Sequence, residues 1–356
     1  MSPSPLDSID VAQLTAWLDQ AAPHLGTGPV TLSVISGGST NVVLGVERHG
    51  RTTVFRSPPL VAATPQGAKT IEREATILAA LDGTTVPHPG FHAYCADPSV
   101  IGVPFYVMDK VDGWSATITE DDVTLYVPGW EGGADQHYLG YAMVDGMIAM
   151  ANLDYEAAGL GGFGKPDGFL ERQTDRWLGQ LDTYPKRYSK YEPRDLEGLD
   201  YVADYLRSNV PDTWRPGLMH GDYALNNVMF HNRPPSRLVA IIDWETATIG
   251  DPLLDLAGFT QSLRSDRPGS GRKSYFDSVN FPHQNDALAY YAEGTGRDLS
   301  HIDYYYVLCK FRMACMIEYK VAEAIQGLSP KAKGDRFDRL VRALLIDARD
   351  LAQAAN

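Results

Sequence analysis

The sequence predicts an α+β protein of two lobes, a small antiparallel β lobe followed by a large, mainly helical one. Three observations carry this. Between Val30 and Phe55, short β-branched runs alternate with Gly37-Gly38 and His49-Gly50, as consecutive hairpins do. From Tyr138 onward, apolar residues recur at helical spacing over most of the chain. Within that helical half lies one β-rich island, Asn227 to Phe230 and Leu238 to Ile242, with Pro234-Pro235 between its strands.

Taken in order, Asp10 and Gln13 form a capping pair ahead of Val11, Leu14 and Leu18, which predicts a first helix ending near His24. Strands follow over Val30 to Val34, Val42 to Val46 and Thr52 to Phe55. Pro58, Pro59 and Pro65 mark a loop, after which Ile71, Ala75, Leu78 and Leu81 predict a helix over Lys69 to Leu81. Two more strands are expected around Gly90 to Tyr94 and Phe105 to Met108. Further helices are expected near Tyr138 to Leu153, Phe169 to Leu181, Leu196 to Asn209 and after Asp286. The segment Val111 to Trp114 divides the lobes, giving a first lobe of residues 1–111 and a second of 112–356. Arg264 to Lys273, rich in Gly, Ser and Arg, reads as a mobile loop.

Composition narrows the classes. With 44% hydrophobic and 21% charged residues, the chain has the balance of a soluble globular protein. It contains no apolar run near the roughly 18 residues a membrane span needs. Met1 to Asp10 lacks the basic and apolar regions of a secretory signal. Cys95, Cys309 and Cys315 are too few and too scattered for a disulfide framework or a zinc site. The expected setting is cytoplasmic. A net charge of −14 argues against a nucleic-acid partner. That charge is unevenly spread: residues 256–356 hold 12 acidic and 14 basic side chains, the first 255 residues 33 and 17.

The chemistry concentrates in Met219-His-Gly-Asp-Tyr-Ala-Leu-Asn-Asn-Val-Met-Phe230 and Ile241-Ile-Asp-Trp-Glu245. Strand pairing across Pro234-Pro235 would return Asp243 close to Asn227. A carboxylate and a carboxamide meeting there are hard oxygen ligands of the kind Mg²⁺ prefers. Asp222, at the start of the loop, is positioned to take the proton of an attacking hydroxyl. Phosphoryl transfer asks mainly for positioning and charge neutralisation, so these few groups suffice.

These two segments resemble the catalytic and metal-binding loops of the aminoglycoside phosphotransferase and choline kinase group, relatives of protein kinases. The likeness continues through Gly250-Asp-Pro-Leu-Leu-Asp-Leu-Ala257, Ile35-Ser-Gly-Gly-Ser-Thr-Asn41, Val54-Phe-Arg-Ser-Pro-Pro59, Arg73-Glu74, Phe105 to Gly113 and Arg172 to Trp177. In that detail the chain is most similar to the kinase-like domains found beside acyl-CoA dehydrogenases. The resemblance implies a protein-kinase-like two-lobed fold that moves the γ-phosphate of ATP or GTP to a small-molecule hydroxyl. It implies Asp222 as catalytic base, with Asn227 and Asp243 as Mg²⁺ ligands and His220 as a structural member of the loop. Ser36, Gly37, Gly38, Ser39, Thr40 and Asn41 would form the turn over the nucleotide phosphates. Asp109 to Val111 would present backbone groups to the base, with Met108 beside it. Arg56 stands where the family usually has a phosphate-binding lysine, with Glu74 as its helical partner. Arginine chelates phosphate more rigidly than lysine and is no simple equivalent.

Structural readings stand beside the functional ones. Arg56 with Glu74 could be an ordinary surface ion pair, and Gly37-Gly38 only a hairpin turn. Asp251 and Asp255 read as caps and anchors for the following helix and the catalytic loop. Tyr304, Tyr305, Tyr306 and Phe311 read as core. Packing is the first reading of Arg172, Arg176 and Trp177, substrate contact the second. Arg56 also leaves room for a catalytically inactive nucleotide-binding regulatory protein of the same fold. A metal-dependent hydrolase built on His220 and Asp222 lacks further ligands. The slightly basic carboxy-terminal stretch favours a neutral or anionic acceptor, such as a hydroxyacyl compound, over an aminoglycoside polycation. The sequence specifies no oligomeric state.

Overall fold

A computed structural model describes residues 5–37, 41–60, 64–118, 123–124, 133–233, 235, 237–265 and 278–355. The chain opens with α1 (Val11–Ala21), capped by Asp10, whose Oδ1 accepts from the Ala12 and Gln13 amides, both at 3.0 Å. Five strands follow: β1 (Thr31–Gly37), β2 (Val42–Arg48), β3 (Arg51–Ser57), β4 (Phe91–Cys95) and β5 (Phe105–Asp109). They form one antiparallel sheet in the order β1-β2-β3-β5-β4. His49 and Gly50 both have positive φ between β2 and β3, the backbone that matches a two-residue turn to the strand twist. Leu14 and Leu18 of α1 pack with Leu44, Phe55, Phe105 and Val107 of the sheet in a core of their own.

Helix α2 (Pro65–Leu81) starts four residues before the expected Lys69. Pro65 begins the helix rather than belonging to the loop: Thr64 Oγ1 accepts from the Gly67 amide, and proline in the first turn sacrifices no helical hydrogen bond. Its face of Ile71, Ile77, Leu78 and Leu81 joins the second, larger core rather than the sheet's own.

Two short strands, β6 (Thr117–Ile118) and β7 (Val123–Thr124), pair with each other after β5. The helices α3 (Gly133–Ala151), α4 (Glu171–Leu181), α5 (Tyr184–Arg187) and α6 (Leu199–Ser208) then build the large lobe. They are completed by α7 (Leu253–Thr260), α8 (Gln284–Thr295), α9 (Ile302–Gln326) and α10 (Lys331–Ala355). The β-rich island comprises β8 (Gly217–Met219), β9 (Val228–Phe230), β10 (Leu238–Ile241) and β11 (Thr248–Gly250). Strand β9 pairs antiparallel with β10, and β11 returns to β8, so both ends of the loop between β8 and β9 are anchored.

Trp114 exchanges backbone hydrogen bonds with Phe230 at 2.9 and 2.8 Å, tying the segment after β5 to β9. A Cβ on the adjacent Gly113 would lie 2.7 Å from the Phe230 carbonyl, so only glycine admits this approach. Tyr304, Tyr305, Tyr306 and Phe311 are buried, and the Cys95, Cys309 and Cys315 thiols are free and buried. Among the described residues no helix is long and apolar enough to cross a membrane.

Candidate active site

The loop between β8 and β9 is fixed from beneath. Asp255, buried at the start of α7, accepts the His220 amide at 2.6 Å and the Gly221 amide at 2.9 Å. Burial pushes its pKa up; the His220 side chain and these amides pull the other way. The His220 ring is fully buried, with Nε2 2.9 Å from the Ile242 carbonyl and Nδ1 accepting from the Asp222 amide at 3.3 Å. These partners assign the proton to Nε2. With both nitrogens engaged by backbone, His220 braces the loop. Gly221 has φ of 82°, and a Cβ there would meet the Thr246 carbonyl at 2.8 Å. Asp251 caps the Leu253 amide and accepts from the Tyr305 hydroxyl at 2.6 Å, and burial raises its pKa to about 6.

On this platform Asp222 is exposed. Asn227, buried in a 3-10 turn, donates from Nδ2 to the Asp222 carbonyl at 2.8 Å and to its Oδ2 at 2.9 Å. The hairpin of β9 and β10 ends with the Ile242 amide 2.9 Å from the Asn227 carbonyl, which makes Asp243 the next residue along. The structure therefore brings Asp222, Asn227 and Asp243 to one place. Asp243 has φ 66° and ψ 56°, a left-handed conformation uncommon outside glycine and worth noting at a candidate site.

Arg56 reaches this group from β3. It lies 3.1 Å from Glu74 on α2 and 2.6 Å from Asp243. Side-chain exposure of 13% for Arg56 and 1% for Glu74 rules out the ordinary surface pair. Breaking a buried pair costs roughly 3–5 kcal/mol, against about 0–1 for an exposed one. The Tyr106 hydroxyl donates to Glu74 at 2.6 Å. Burial raises Glu74 to about 7, although the Arg56 charge and the Tyr106 hydrogen bond oppose it. Against burial, Tyr106, Glu74 and Asp243 hold the guanidinium above its ordinary range. Glu245 completes a carboxylate group with Glu74 and Asp243, oxygens of the three lying within 4.8 Å. Desolvation and then the Asp243 charge hold Glu245 above the usual carboxylate range.

The remaining expected residues are spread along the sheet. Ser36 and Gly37 close β1 opposite Val43 and Val42, and Asn41 is buried just before β2; Gly38, Ser39 and Thr40 lie outside the described residues. Most of Arg264 to Lys273 also lies outside them. Met108 and Asp109 end β5. The Asp109 amide donates to the Gly90 carbonyl, and its carboxylate accepts from Arg51 and His92. The Val111 backbone makes no hydrogen bond among the described residues.

Two cavities open beside the loop. The smaller, about 170 Å³, is lined by Asp222, Leu254, Cys309, Arg312, Met313 and Met316. The larger, about 470 Å³, shares Gly221, Leu254, Arg312 and Met316 with it and takes Arg172, Arg176 and Trp177 into its wall. Of the cavity cations, Lys165 and Arg312 were missed by sequence reasoning. Arg312 sits in the apolar run of α9, where a lone arginine was the available signal.

A small antiparallel sheet with an inserted helix, a helical second lobe and a loop-hairpin site between them define a protein-kinase-like phosphotransferase fold. A model of the phosphotransferase enzyme family, APH, matches residues 31–290, and the chain belongs to that family. Acyl-CoA dehydrogenase family member 11 of Homo sapiens is 28% identical over 348 residues, covering 96% of this chain and 43% of that protein. Acyl-CoA dehydrogenase family member 10 of Mus musculus is 27% identical over 331 residues, covering 92% and 30%. The chain thus spans less than half the length of these curated relatives. Among solved structures, a Ralstonia eutropha protein described as a "putative aminoglycoside phosphotransferase" has a TM-score of 0.80 at 27% identity, covering 97% of this chain and 98% of that one. The macrolide 2′-phosphotransferase MphH of Brachybacterium faecium has a TM-score of 0.58 at 18% identity, covering 93% and 97%, a likeness of fold alone.

Proposed function

We propose that the protein transfers the γ-phosphate of magnesium-bound ATP or GTP to a hydroxyl of a small-molecule acceptor, with Asp222 as the base. The observation that carries this reading is the 2.9 Å bond from Asn227 Nδ2 to Asp222 Oδ2. It orients an exposed carboxylate whose Oδ1 has no protein partner among the described residues. That oxygen takes the acceptor's proton as the hydroxyl attacks.

Asn227 and Asp243 would hold the Mg²⁺, and the donor set fits: amide and carboxylate oxygens are hard ligands. Asp243 already draws one cation, Arg56, to 2.6 Å. When bound, the ion neutralises charge on the transferring phosphoryl group. Arg56, steadied by Glu74 and Tyr106, orients the phosphates. Ser36 to Asn41 would cover them, and Met108 to Val111 would flank the base. In this reading the nucleotide lobe is residues 1–111 and the catalytic and acceptor lobe 112–356.

The apolar wall of Leu254, Cys309, Met313 and Met316 beside Asp222 favours a hydroxyacyl acceptor over an aminoglycoside. The Arg56–Asp243 pair also favours a second reading, a catalytically inactive nucleotide-binding regulatory protein in which arginine occupies a metal ligand. One experiment separates them: incubation with Mg-ATP and, in parallel, kanamycin or hydroxyacyl thioesters, with mass-spectrometric detection of a phosphorylated product. Phosphorylated thioester, absent with Asp222→Asn, is the expected result. Phosphorylated kanamycin would overturn the acceptor assignment, and no product with any hydroxyl compound would favour the inactive binder.

A further inference from the structure

The larger cavity has an unusual charge. Arg73, Lys165, Arg172, Arg176 and Arg312 line it against one carboxylate, Glu245. By contrast, Arg56, Arg194, Arg207 and Arg349 each take a carboxylate partner. Among the described residues, none of the five cavity cations lies within ion-pair distance of a carboxylate. Their contacts are neutral. Arg73 donates to the Ala247 carbonyl and lies over the Phe163 ring. Arg172 donates to the carbonyls of Lys165 and Asp167, and Arg312 to that of Gly221.

Arg176 and Arg312 meet at Trp177, their guanidinium carbons 5.2 and 5.3 Å from its ring. The ring is fixed by Nε1 donating to Gln173 at 3.2 Å. Arg176 makes no hydrogen bond among the described residues and Arg312 spends Nη2 on the Gly221 carbonyl, so N–H groups of both guanidiniums remain to match the oxygens of a carboxylate or phosphate. Desolvation, then the charge of Arg312, holds the Arg176 pKa below its ordinary value, as expected of like charges gathered without a carboxylate between them. The charge is also poised relative to the chemistry. Arg312 and Gly221 line both cavities, and Asp222 lines the smaller one.

We propose that the larger cavity is an oxyanion subsite for the phosphoryl acceptor. The acceptor then carries, apart from the hydroxyl facing Asp222, a carboxylate or phosphate group gripped by Arg176 and Arg312 across Trp177. This rests on the phosphotransferase reading and adds the acceptor's charge to it. It also corrects the sequence-based charge argument: only Arg312 of the five cations comes from residues 256–356, and the other four lie earlier in the chain.

The test is calorimetric titration of the full chain, saturated with a non-hydrolysable Mg-ATP analogue, with inorganic phosphate in one arm and butyrate in the other. Binding of at least one anion is expected, weakened at least about tenfold by Arg176→Gln, about 1.4 kcal/mol, with nucleotide affinity unchanged. The arm that binds names the group. Binding of neither anion, or equal binding by the variant, would overturn the subsite. Failure of the analogue to bind the wild type would instead count against the phosphotransferase reading, and the same anion titration on nucleotide-free protein still tests the subsite.

Discussion

Arg56 Nη2 lies 2.6 Å from Asp243 Oδ1, so one ion pair joins strand β3 of the small lobe to the turn after β10 of the large one. The same guanidinium lies 3.1 Å from Glu74 through Nε. One side chain thus serves two carboxylates through two nitrogens of its guanidinium, which a lysine ammonium does less rigidly.

Removing that fork has two consequences. Arg56→Ala leaves Glu74 buried without its cation and is expected to cost roughly 3–5 kcal/mol of stability. It should also lower kcat/KM for nucleotide by about a hundredfold, the scale of losing one charge-stabilising donor. Arg56→Lys should recover most of the stability and only part of the nucleotide effect. Denaturant melts and steady-state kinetics on both variants check this; an unaltered alanine variant would show the pair to be idle.

Glu74 gives a pH signature. Burial raises its carboxyl from 4.5 to about 7 in the folded chain, so the folded state holds the proton more tightly than the unfolded one. The contribution of Glu74 to stability is therefore largest at low pH and declines as pH rises from about 4.5 to 7. Glu74→Gln, which mimics the protonated form, removes that decline. Thermal melts from pH 5 to 8 should find the variant gaining on the wild type as pH rises. A gap that stays constant from pH 5 to 8 would mean that Glu74 is ionised in the fold throughout that range.

Asp255 should matter to turnover more than to nucleotide binding. Its two oxygens take the His220 and Gly221 amides, and asparagine keeps only one acceptor while turning an NH₂ toward the other amide. Asp255→Asn is expected to lose about 2–3 kcal/mol of stability, the scale of a hydrogen bond to a buried charge. It should lower kcat with nucleotide KM little changed, because the displaced loop carries Asp222. Urea unfolding with kinetics over a range of ATP concentrations separates the two effects.

The meeting of Asp222, Asn227 and Asp243 was legible in the sequence because a loop, a strand and a hairpin bring them together within local chain geometry. The capping of α1 and the hairpins of the small lobe were legible for the same reason. Arg56 was found by its place in the pattern, but its contact with Asp243, 187 residues away, depends on how the lobes pack and has no local signal. Helix α2 began earlier than expected because proline was read as a loop residue when it also suits a helix's first turn. The cationic cavity was hidden for a different reason. Its residues come from α2, the segment before α4, α4 itself and α9, and each alone looks like a packing or surface residue.

The central claim is that Asp222 performs the chemistry while Asn227 and Asp243 serve the metal, and one comparison tests it most directly. Mg-ATP affinity and the rate of γ-phosphate transfer are measured on the same preparations of wild type, Asp222→Asn and Asp243→Ala. The account predicts that Asp222→Asn binds Mg-ATP as the wild type does yet transfers on the order of 10³-fold more slowly, while Asp243→Ala loses the Mg²⁺-dependent part of binding. Full transfer activity in Asp222→Asn, or nucleotide binding indifferent to Mg²⁺ in the wild type, would contradict it.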